Sequence, residues 1–169
     1  NEAEVISAFI ERVVALSDVD HLLLIDDGSS DATVAVIRAW QQRHADQPVT
    51  LLELTRNFGK EAAMLAGLDY ANARCAAAVL IDSDLQHPPE RIPVMVQAWR
   101  NGAEVVTAVR DDRDAEGLVK VATASWFYRV FNRLVDSIQL QEGAGDFRLL
   151  SAPVVDAVTQ LREATRFSK

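Results

Sequence analysis

Several features that would assign a protein class are missing from this 169-residue chain. It has a single cysteine, Cys75, so it can form no internal disulfide, which is typical of a reducing compartment. No apolar run reaches the roughly 18 residues that a membrane-spanning helix needs. The phosphate-binding signatures G-x-G-x-x-G and G-x-x-x-x-G-K-[ST] are also absent. We therefore expect a metal ion and arginines, rather than a glycine cradle, to hold any phosphates.

Positive charge is scarce as well. The chain has 17 Lys and Arg against 25 Asp and Glu, which gives a net charge of -8 and an isoelectric point near 4.8. This balance argues against nucleic acid as the main partner. The apolar content of 49% and the charged content of 25% are ordinary for a soluble globular protein, and the length suits one domain.

The most informative stretch joins an apolar run to two carboxylates. Ala76–Ile81 is the continuous apolar run expected of a strand buried on both faces, and Asp82 and Asp84 follow it. Together with the Gln86 amide they form a set of hard oxygen ligands, which suits Mg2+ or Mn2+ rather than Zn2+. Mg2+ held this way normally shares its shell with substrate phosphates, so the stretch predicts a metal-diphosphate site. A turn or helix-capping role is the alternative for this D-x-D.

Predicted helices and strands alternate along the chain. Helices are predicted over residues 3–16, 32–43, 61–73, 88–101, 118–135 and 151–163, strands over 21–25, 49–54, 76–81 and 104–109, and a loop over 143–148. This order predicts an α/β fold with a mostly parallel sheet and helices on both faces. Polar groups follow the predicted strands at Asp26-Asp27, Asn57, Asp82 and Arg110. Since ligands bind at the carboxyl ends of such strands, we expect these groups to share one edge.

Five motifs carry a resemblance to a known family. They are Asp26–Asp31 (D-D-G-S-S-D), Asn57-x-Gly59-Lys60, Asp82–Glu90 (D-x-D-L-Q-x-P-P-E), Arg110-x-x-Arg113 and Gly145–Arg148 (G-D-F-R). The set resembles the family 2 inverting glycosyltransferases of the GT-A fold. It is most similar to the branch that loads sugars onto polyprenyl phosphates, such as dolichol-phosphate mannose synthases and bactoprenol-phosphate glucosyltransferases. The resemblance implies one GT-A catalytic domain over residues 1–169, lacking the family's first strand and C-terminal membrane region.

The resemblance also implies a donor site. The nucleotide-binding residues would be Asn1, Glu2, Asp27, Asn57, Gly59, Lys60 and Asp82. Asp27 would accept a hydrogen bond from the base, with uracil N3–H as the preferred donor, and an acceptor-only carboxylate suits that group. Turn or helix capping is the alternative for Asp27. Asp82, Asp84 and Gln86 would hold Mg2+ or Mn2+ on the diphosphate, where the metal offsets charge on the leaving nucleoside diphosphate.

An acceptor site is implied by the arginines. Arg110, Arg113, Arg129 and Arg148 are the candidates for the acceptor phosphate, because guanidinium groups match phosphate oxygens bidentately. Asp146 stands where the wider family places its base, and it would alternatively hold a sugar hydroxyl or orient Arg148. Catalysis is thus assigned to Asp146, Asp84 and Arg110. A phosphate acceptor is already anionic at pH 7, so it needs positioning more than a general base.

The implied function is metal-dependent, inverting transfer of a hexose to a polyprenyl phosphate at the cytoplasmic face of the cell membrane, with UDP-glucose as the expected donor. The segment 118–135, rich in aromatic and basic residues, is the candidate contact with the membrane surface, and core packing is its alternative explanation. Two other functions stay open. One is a family 2 transferase with a saccharide acceptor, in which Asp146 is a true base, and the other is a non-catalytic nucleotide-sugar-binding domain.

Overall fold

The structure is a computed structural model that describes residues 1–109, 119–122 and 144–160. The chain divides into two compact units. The first unit comprises Asn1–Tyr70 and Asp82–Ile92, and the second comprises Ala71–Ile81 and the chain from Pro93 onward. Within the described ranges, no helix is both long enough and apolar enough to cross a membrane.

The first unit is built on two parallel strands. Its elements are α1 (Ile6–Val14), β1 (Leu22–Asp26), α2 (Thr33–Arg43), β2 (Val49–Glu53), α3 (Lys60–Ala71) and a short 3-10 helix (Pro89–Arg91). β1 pairs with β2 in parallel, with Leu22 opposite Val49 and Asp26 opposite Glu53. Parallel pairing sends the loops that follow both strands to the same edge, as the sequence predicted.

Helical periodicity explains how the helices of this unit pack. α1 buries one apolar stripe, Ile6, Phe9, Ile10 and Val13, as expected of a helix with apolar residues at helical spacing. α3 contacts β1 through Gly67, because a Cβ added at Gly67 would lie only 2.5 Å from the Cδ1 atom of Ile25. The absence of a side chain at Gly67 therefore lets the helix approach the strand closely.

The second unit contains a four-stranded sheet. Its elements are β3 (Ala77–Leu80), α4 (Ile92–Arg100), β4 (Val105–Val109), β5 (Val119–Ala122), β6 (Ala144–Ser151) and α5 (Ala152–Gln160). The strand order is β3-β6-β4-β5, and all three pairings are antiparallel. Since β3 and β4 are both antiparallel to β6, they run parallel to each other. Side chains from α4, β4, β6 and α5 form the core, among them Met95, Val106, Leu149 and Val155.

The α/β class is confirmed, but three predicted segments differ from the structure. Residues 119–122 form β5 rather than the start of a helix, because their β-branched valines pair with β4. The predicted loop at 143–148 is mostly strand β6, which fills the space between β3 and β4 and makes this sheet antiparallel. β3 is partly rather than fully buried, and it is an outermost strand of its sheet.

The loop after β1 packs tightly against the loop after β2. Gly28 has a φ of +76°, a left-handed conformation that favours glycine. A Cβ at this position would also lie 2.7 Å from the backbone nitrogen of Asn57 and 2.9 Å from the carbonyl carbon of Arg56. Both the backbone angle and the lack of space therefore require glycine here.

We expect Gly28→Ala to lower the free energy of unfolding by about 3 kcal/mol, because the methyl group adds a backbone clash to the cost of a positive φ. Gly102→Ala is the matched control. Gly102 follows α4 with a φ of +100° and has no atom within 4 Å of an added Cβ, so its cost should be about 1–2 kcal/mol. Urea denaturation measures both values. Equal losses of unfolding free energy in the two variants would show that the loops after β1 and β2 can move apart to accommodate the methyl group at position 28.

Candidate functional site

Two consecutive aspartates at the end of β1 make different contacts. Asp26 is buried, and its Oδ2 accepts hydrogen bonds from the backbone N–H groups of Gly28 and Ser29, each at 3.1 Å. Asp27 accepts from the N–H of Phe58 at 2.7 Å through Oδ1 and from the N–H of Gly59 at 2.8 Å through Oδ2. Asp26 thus shapes its own turn, whereas Asp27 holds the loop after β2. Each oxygen of Asp27 keeps a second lone pair, so its predicted hydrogen bond to a base is compatible with these contacts.

The first residues of the chain lie against the loop after β1. The side-chain Oδ1 of Asn1 accepts hydrogen bonds from the backbone N–H groups of Ser30 at 2.8 Å and Asp31 at 3.3 Å. The N–H of Glu2 donates to Thr33 Oγ1 at 2.8 Å. Hydrogen bonds from Thr33 also hold the pKa of Asp31 below its ordinary value. The structure therefore places Asn1 and Glu2 beside the loop that contains Asp27.

The loop from Arg56 to Lys60 connects β2 to α3 and presents both an aromatic ring and two cations. The Arg56 guanidinium lies over the Phe58 ring at 4.6 Å from its centre, and Phe58 is 49% exposed. Lys60 is the first residue of α3, and its Nζ lies 2.7 Å from Asp82 Oδ2. The sequence reasoning did not single out Phe58, although an aromatic residue between Asn57 and Gly59 of a binding motif was a signal for it.

The acidic motif after β3 forms a turn with an unusual backbone. Leu85 has a φ of +61°, which costs a non-glycine residue about 1–2 kcal/mol. Asp84 Oδ1 accepts a hydrogen bond from the backbone N–H of Gln86 at 2.9 Å and so supports the turn across Leu85. Its other oxygen, Oδ2, can still coordinate a cation. Such local strain is concentrated at functional positions in many proteins.

The donor groups present fit a hard divalent cation. Asp84 is partly exposed and the Gln86 side chain is exposed, so both can supply oxygen ligands to an ion at the surface. Among the described residues, no group of three or more His, Cys, Asp or Glu side chains forms a complete metal cage. A small number of protein ligands is enough for Mg2+ or Mn2+, because these ions complete their shells with water and substrate phosphates. Lys60 occupies Oδ2 of Asp82, so Asp82 can join them through Oδ1, or through Oδ2 if the ion pair opens.

The end of the same motif is anchored to α1. Glu90 pairs with Arg12 through two parallel hydrogen bonds, from Nε to Oε1 at 2.8 Å and from Nη2 to Oε2 at 2.6 Å. These hydrogen bonds hold the pKa of Glu90 below its ordinary value of 4.5 and raise the pKa of Arg12. Glu90 therefore has a structural partner, which positions the Asp82–Glu90 segment against α1.

Part of the predicted acceptor site lies on β6. Arg148 lies opposite Leu80 of β3 and Thr107 of β4, near the carboxyl ends of both strands. The β4–β6 register shifts between Thr107 and Val109, so four steps along β6, from Arg148 to Ala144, match two steps along β4. Asp146 belongs to this irregular stretch. The predicted phosphate ligands Arg110, Arg113 and Arg129 lie outside the described residues.

The fold is that of a known glycosyltransferase. The structure is similar to that of mannosyltransferase PcManGT from Pyrobaculum calidifontis in complex with GDP-Man and Mn2+, with a TM-score of 0.66 and 21% sequence identity. The similarity covers 94% of this chain and 44% of that chain. It confirms the GT-A fold predicted from the sequence. The family model described as Glycosyl transferase family 2 matches residues 1–159, and the chain belongs to that family.

Relatives that are closer in sequence agree with this assignment. The chain is 40% identical to the Bactoprenol glucosyl transferase of Shigella phage SfV, over 100% of this chain and 55% of that protein. It is equally similar to the Prophage bactoprenol glucosyl transferase homolog of Escherichia coli (strain K12), with the same coverage. The Uncharacterized glycosyltransferase sll0501 of Synechocystis is 38% identical over 100% of this chain and 52% of that protein. The chain thus spans about half the length of these relatives, and the predicted resemblance is confirmed.

The Arg12–Glu90 pair gives a pH-dependent prediction. Because the pKa of Glu90 is lowered in the folded state, the pair stabilises the protein above pH 4.5, and this contribution is lost as the pH falls through the folded pKa, below 4.5. We expect Glu90→Gln to lower Tm by about 1–3 °C at pH 7 and by less at pH 3. Thermal unfolding followed by circular dichroism from pH 7 to pH 3 measures the difference.

Glu11→Gln is the control for this prediction, because Glu11 is also an exposed carboxylate and lies beside Arg12 on α1. Its effect on Tm should not show the same dependence on pH. A Glu90→Gln effect that stays constant down to pH 3 would mean that the carboxylate charge does not contribute to stability.

Proposed function

We propose that this chain is the donor-binding and catalytic part of an enzyme that transfers glucose from UDP-glucose to a polyprenyl phosphate. The observation that carries the proposal is the cluster of three motifs in the first unit. Asp27 binds the Phe58–Gly59 backbone, and Lys60, the next residue, pairs with Asp82 of the acidic motif. This cluster places a hydrogen-bond acceptor, a cation and oxygen ligands side by side, which are the groups that a metal-bound nucleoside diphosphate requires.

The nucleotide is assigned to the loops after β1 and β2. Asp27, Asn57 and Gly59 form the base-binding side, where the carboxylate of Asp27 accepts the imide N–H of uracil. Asn1 and Glu2 hold the loop after β1 in place. The choice of glucose is supported by the relatives named bactoprenol glucosyl transferases.

The metal is assigned to Asp84 and Gln86, with Asp82 joining when its pair with Lys60 opens. A bound Mg2+ or Mn2+ supplies Lewis-acid chemistry, which offsets the charge that develops on the departing nucleoside diphosphate. The presence of Mn2+ and GDP-Man in the complex of the structurally similar mannosyltransferase supports a divalent cation. The residues of this chain orient the diphosphate and keep the turn at Leu85 in place.

The acceptor is assigned to the edge where β6 begins. Arg148, together with Arg110, Arg113 and Arg129, would bind the acceptor phosphate. The oxygen of that phosphate attacks the anomeric carbon from the face opposite the leaving group, which inverts the configuration. It is already anionic, so Asp146 serves to position the acceptor or Arg148 rather than to remove a proton. The enzyme would meet its lipid acceptor at the cytoplasmic face of the membrane.

The donor assignment is tested by calorimetric titration of UDP and GDP, each with Mn2+ and with EDTA. We expect UDP to bind only with the metal and at least about tenfold more tightly than GDP, as the proposed use of UDP-glucose requires. Equal binding of the two nucleotides, or binding of UDP that is unaffected by EDTA, would contradict the assignment.

Metal-independent UDP binding without glucose transfer would favour a binding domain. Transfer of labelled glucose to a saccharide but not to polyprenyl phosphate would favour the other class of transferase.

The metal role of Asp84 is tested by Asp84→Asn. The amide oxygen of asparagine can still accept the hydrogen bond from the Gln86 N–H, so the turn and the Tm should persist while the negative charge is lost. We expect the affinity for UDP in Mn2+ to fall at least about tenfold. Asp46→Asn is the matched control, because Asp46 is an exposed aspartate in the loop after α2. Unchanged UDP affinity in Asp84→Asn would exclude a metal role for this carboxylate.

A further inference from the structure

Lys60 lies at a position where a positive charge is unfavourable. It is the first residue of α3, and the first turn of a helix carries partial positive charge from its N–H groups, so an acidic residue is preferred there. Arg12, Arg43 and Arg100 follow the rule, because they lie in the last turns of α1, α2 and α4. Helix stability therefore does not explain a lysine at position 60.

The backbone around Lys60 is held in place. The N–H of Gly59 donates to Asp27 Oδ2 at 2.8 Å, and Gly59 has a φ of +95°. Since Lys60 follows directly, this contact determines where α3 begins. From there the lysine side chain reaches Asp82, 22 residues away in sequence, with 2.7 Å between Nζ and Oδ2.

The Lys60–Asp82 ion pair is exposed enough to exchange partners. The side chains of Lys60 and Asp82 are 48% and 37% exposed, so water screens their attraction. A cation that binds Asp82 Oδ2 must displace the ammonium group, and a cation that binds Oδ1 is repelled by it. For a pair of this exposure, the competition should weaken cation binding by about two- to fivefold.

We propose that Lys60 is the resident counter-ion of Asp82, exchanged for the divalent cation when the donor binds, and that it then pairs with the donor diphosphate. This inference rests on the proposed function. A divalent cation and a diphosphate bring opposite charges, so the site stays close to balance before and after the exchange. The flexible four-carbon stem of lysine allows the ammonium group to move from carboxylate to phosphate.

The exchange has a thermodynamic consequence. When no nucleotide is present, the positive charge of Lys60 weakens binding of the metal. Once the metal has bound Asp82, the same charge strengthens binding of the donor. Metal and donor should therefore bind cooperatively, each raising the affinity of the other by the same factor. Lys60 is a donor-binding residue in this scheme, and its removal should change the two affinities in opposite directions.

The test compares Lys60→Met with the parent chain in two titrations. Mn2+ alone is titrated first, with free Mn2+ followed by electron paramagnetic resonance, and UDP is then titrated at saturating Mn2+ by calorimetry. We expect Lys60→Met to bind Mn2+ alone about two- to fivefold more tightly and UDP at least about tenfold more weakly. Lys60→Arg should restore both values toward those of the parent, because it keeps the charge.

Two further variants separate this role from simpler ones. Arg43→Met removes one positive charge from the end of α2, so it corrects for any change due to net charge alone. In an Asp82→Asn background, Lys60→Met should no longer alter Mn2+ affinity, because the residue through which Lys60 acts is gone.

The outcomes are distinct. If Lys60→Met leaves Mn2+ affinity unchanged, or weakens both Mn2+ and UDP binding, the exchange is wrong and Lys60 is a simple phosphate ligand or a structural residue. If the parent binds UDP only with Mn2+ but Lys60→Met behaves like Arg43→Met, this inference fails while the proposed function stands. If the parent shows no metal-dependent UDP binding, the proposed function fails and the inference fails with it.

Discussion

The hydrogen bonds of Asp27 are the interaction on which the candidate site depends. Its two carboxylate oxygens accept the backbone N–H groups of Phe58 and Gly59, which holds the loop after β2 against the loop after β1. The contact is close because Gly28 has no side chain to strike the neighbouring backbone. The same contact sets the start of α3 and hence the position of Lys60. One carboxylate therefore organises three of the motifs that carry the family resemblance of this chain.

The acidic motif from Asp82 to Glu90 is held at both ends by cations from distant parts of the chain. Lys60 pairs with Asp82, and Arg12 pairs with Glu90. Both pairs are partly exposed, so each contributes little to stability, but together they constrain a turn that contains the left-handed Leu85. This arrangement leaves the oxygen ligands of Asp84 and Gln86 at the surface, where a metal and a diphosphate can reach them. Under the proposed function, an acidic chain would bind an anionic donor through the local arrangement of charge rather than through its net charge.

The features that the sequence predicted correctly depend on short-range pattern. The buried stripe of α1 follows from helical spacing, and the parallel pairing of β1 with β2 follows from the alternation of strands and helices. The segments 119–122 and 143–148 were assigned wrongly because strand pairing depends on residues far away in sequence. Glycine at position 145 favours a loop locally, yet the stretch lies in β6, which pairs with both β3 and β4. Of the acceptor arginines, the structure describes only Arg148.

The sequence by itself determined the family and predicted the residues to which the chemistry is assigned, because the motifs are contiguous and their residue types suit a metal-bound diphosphate. Only the tertiary structure decided which of these groups contact each other. The pairing of Lys60 with Asp82 joins residues 22 apart in sequence, and that of Arg12 with Glu90 joins residues 78 apart. No local pattern specifies such pairs, since they form only when strand pairing and helix packing bring separate loops to the same place. The cation beside the first carboxylate of the motif was therefore visible only in the folded chain.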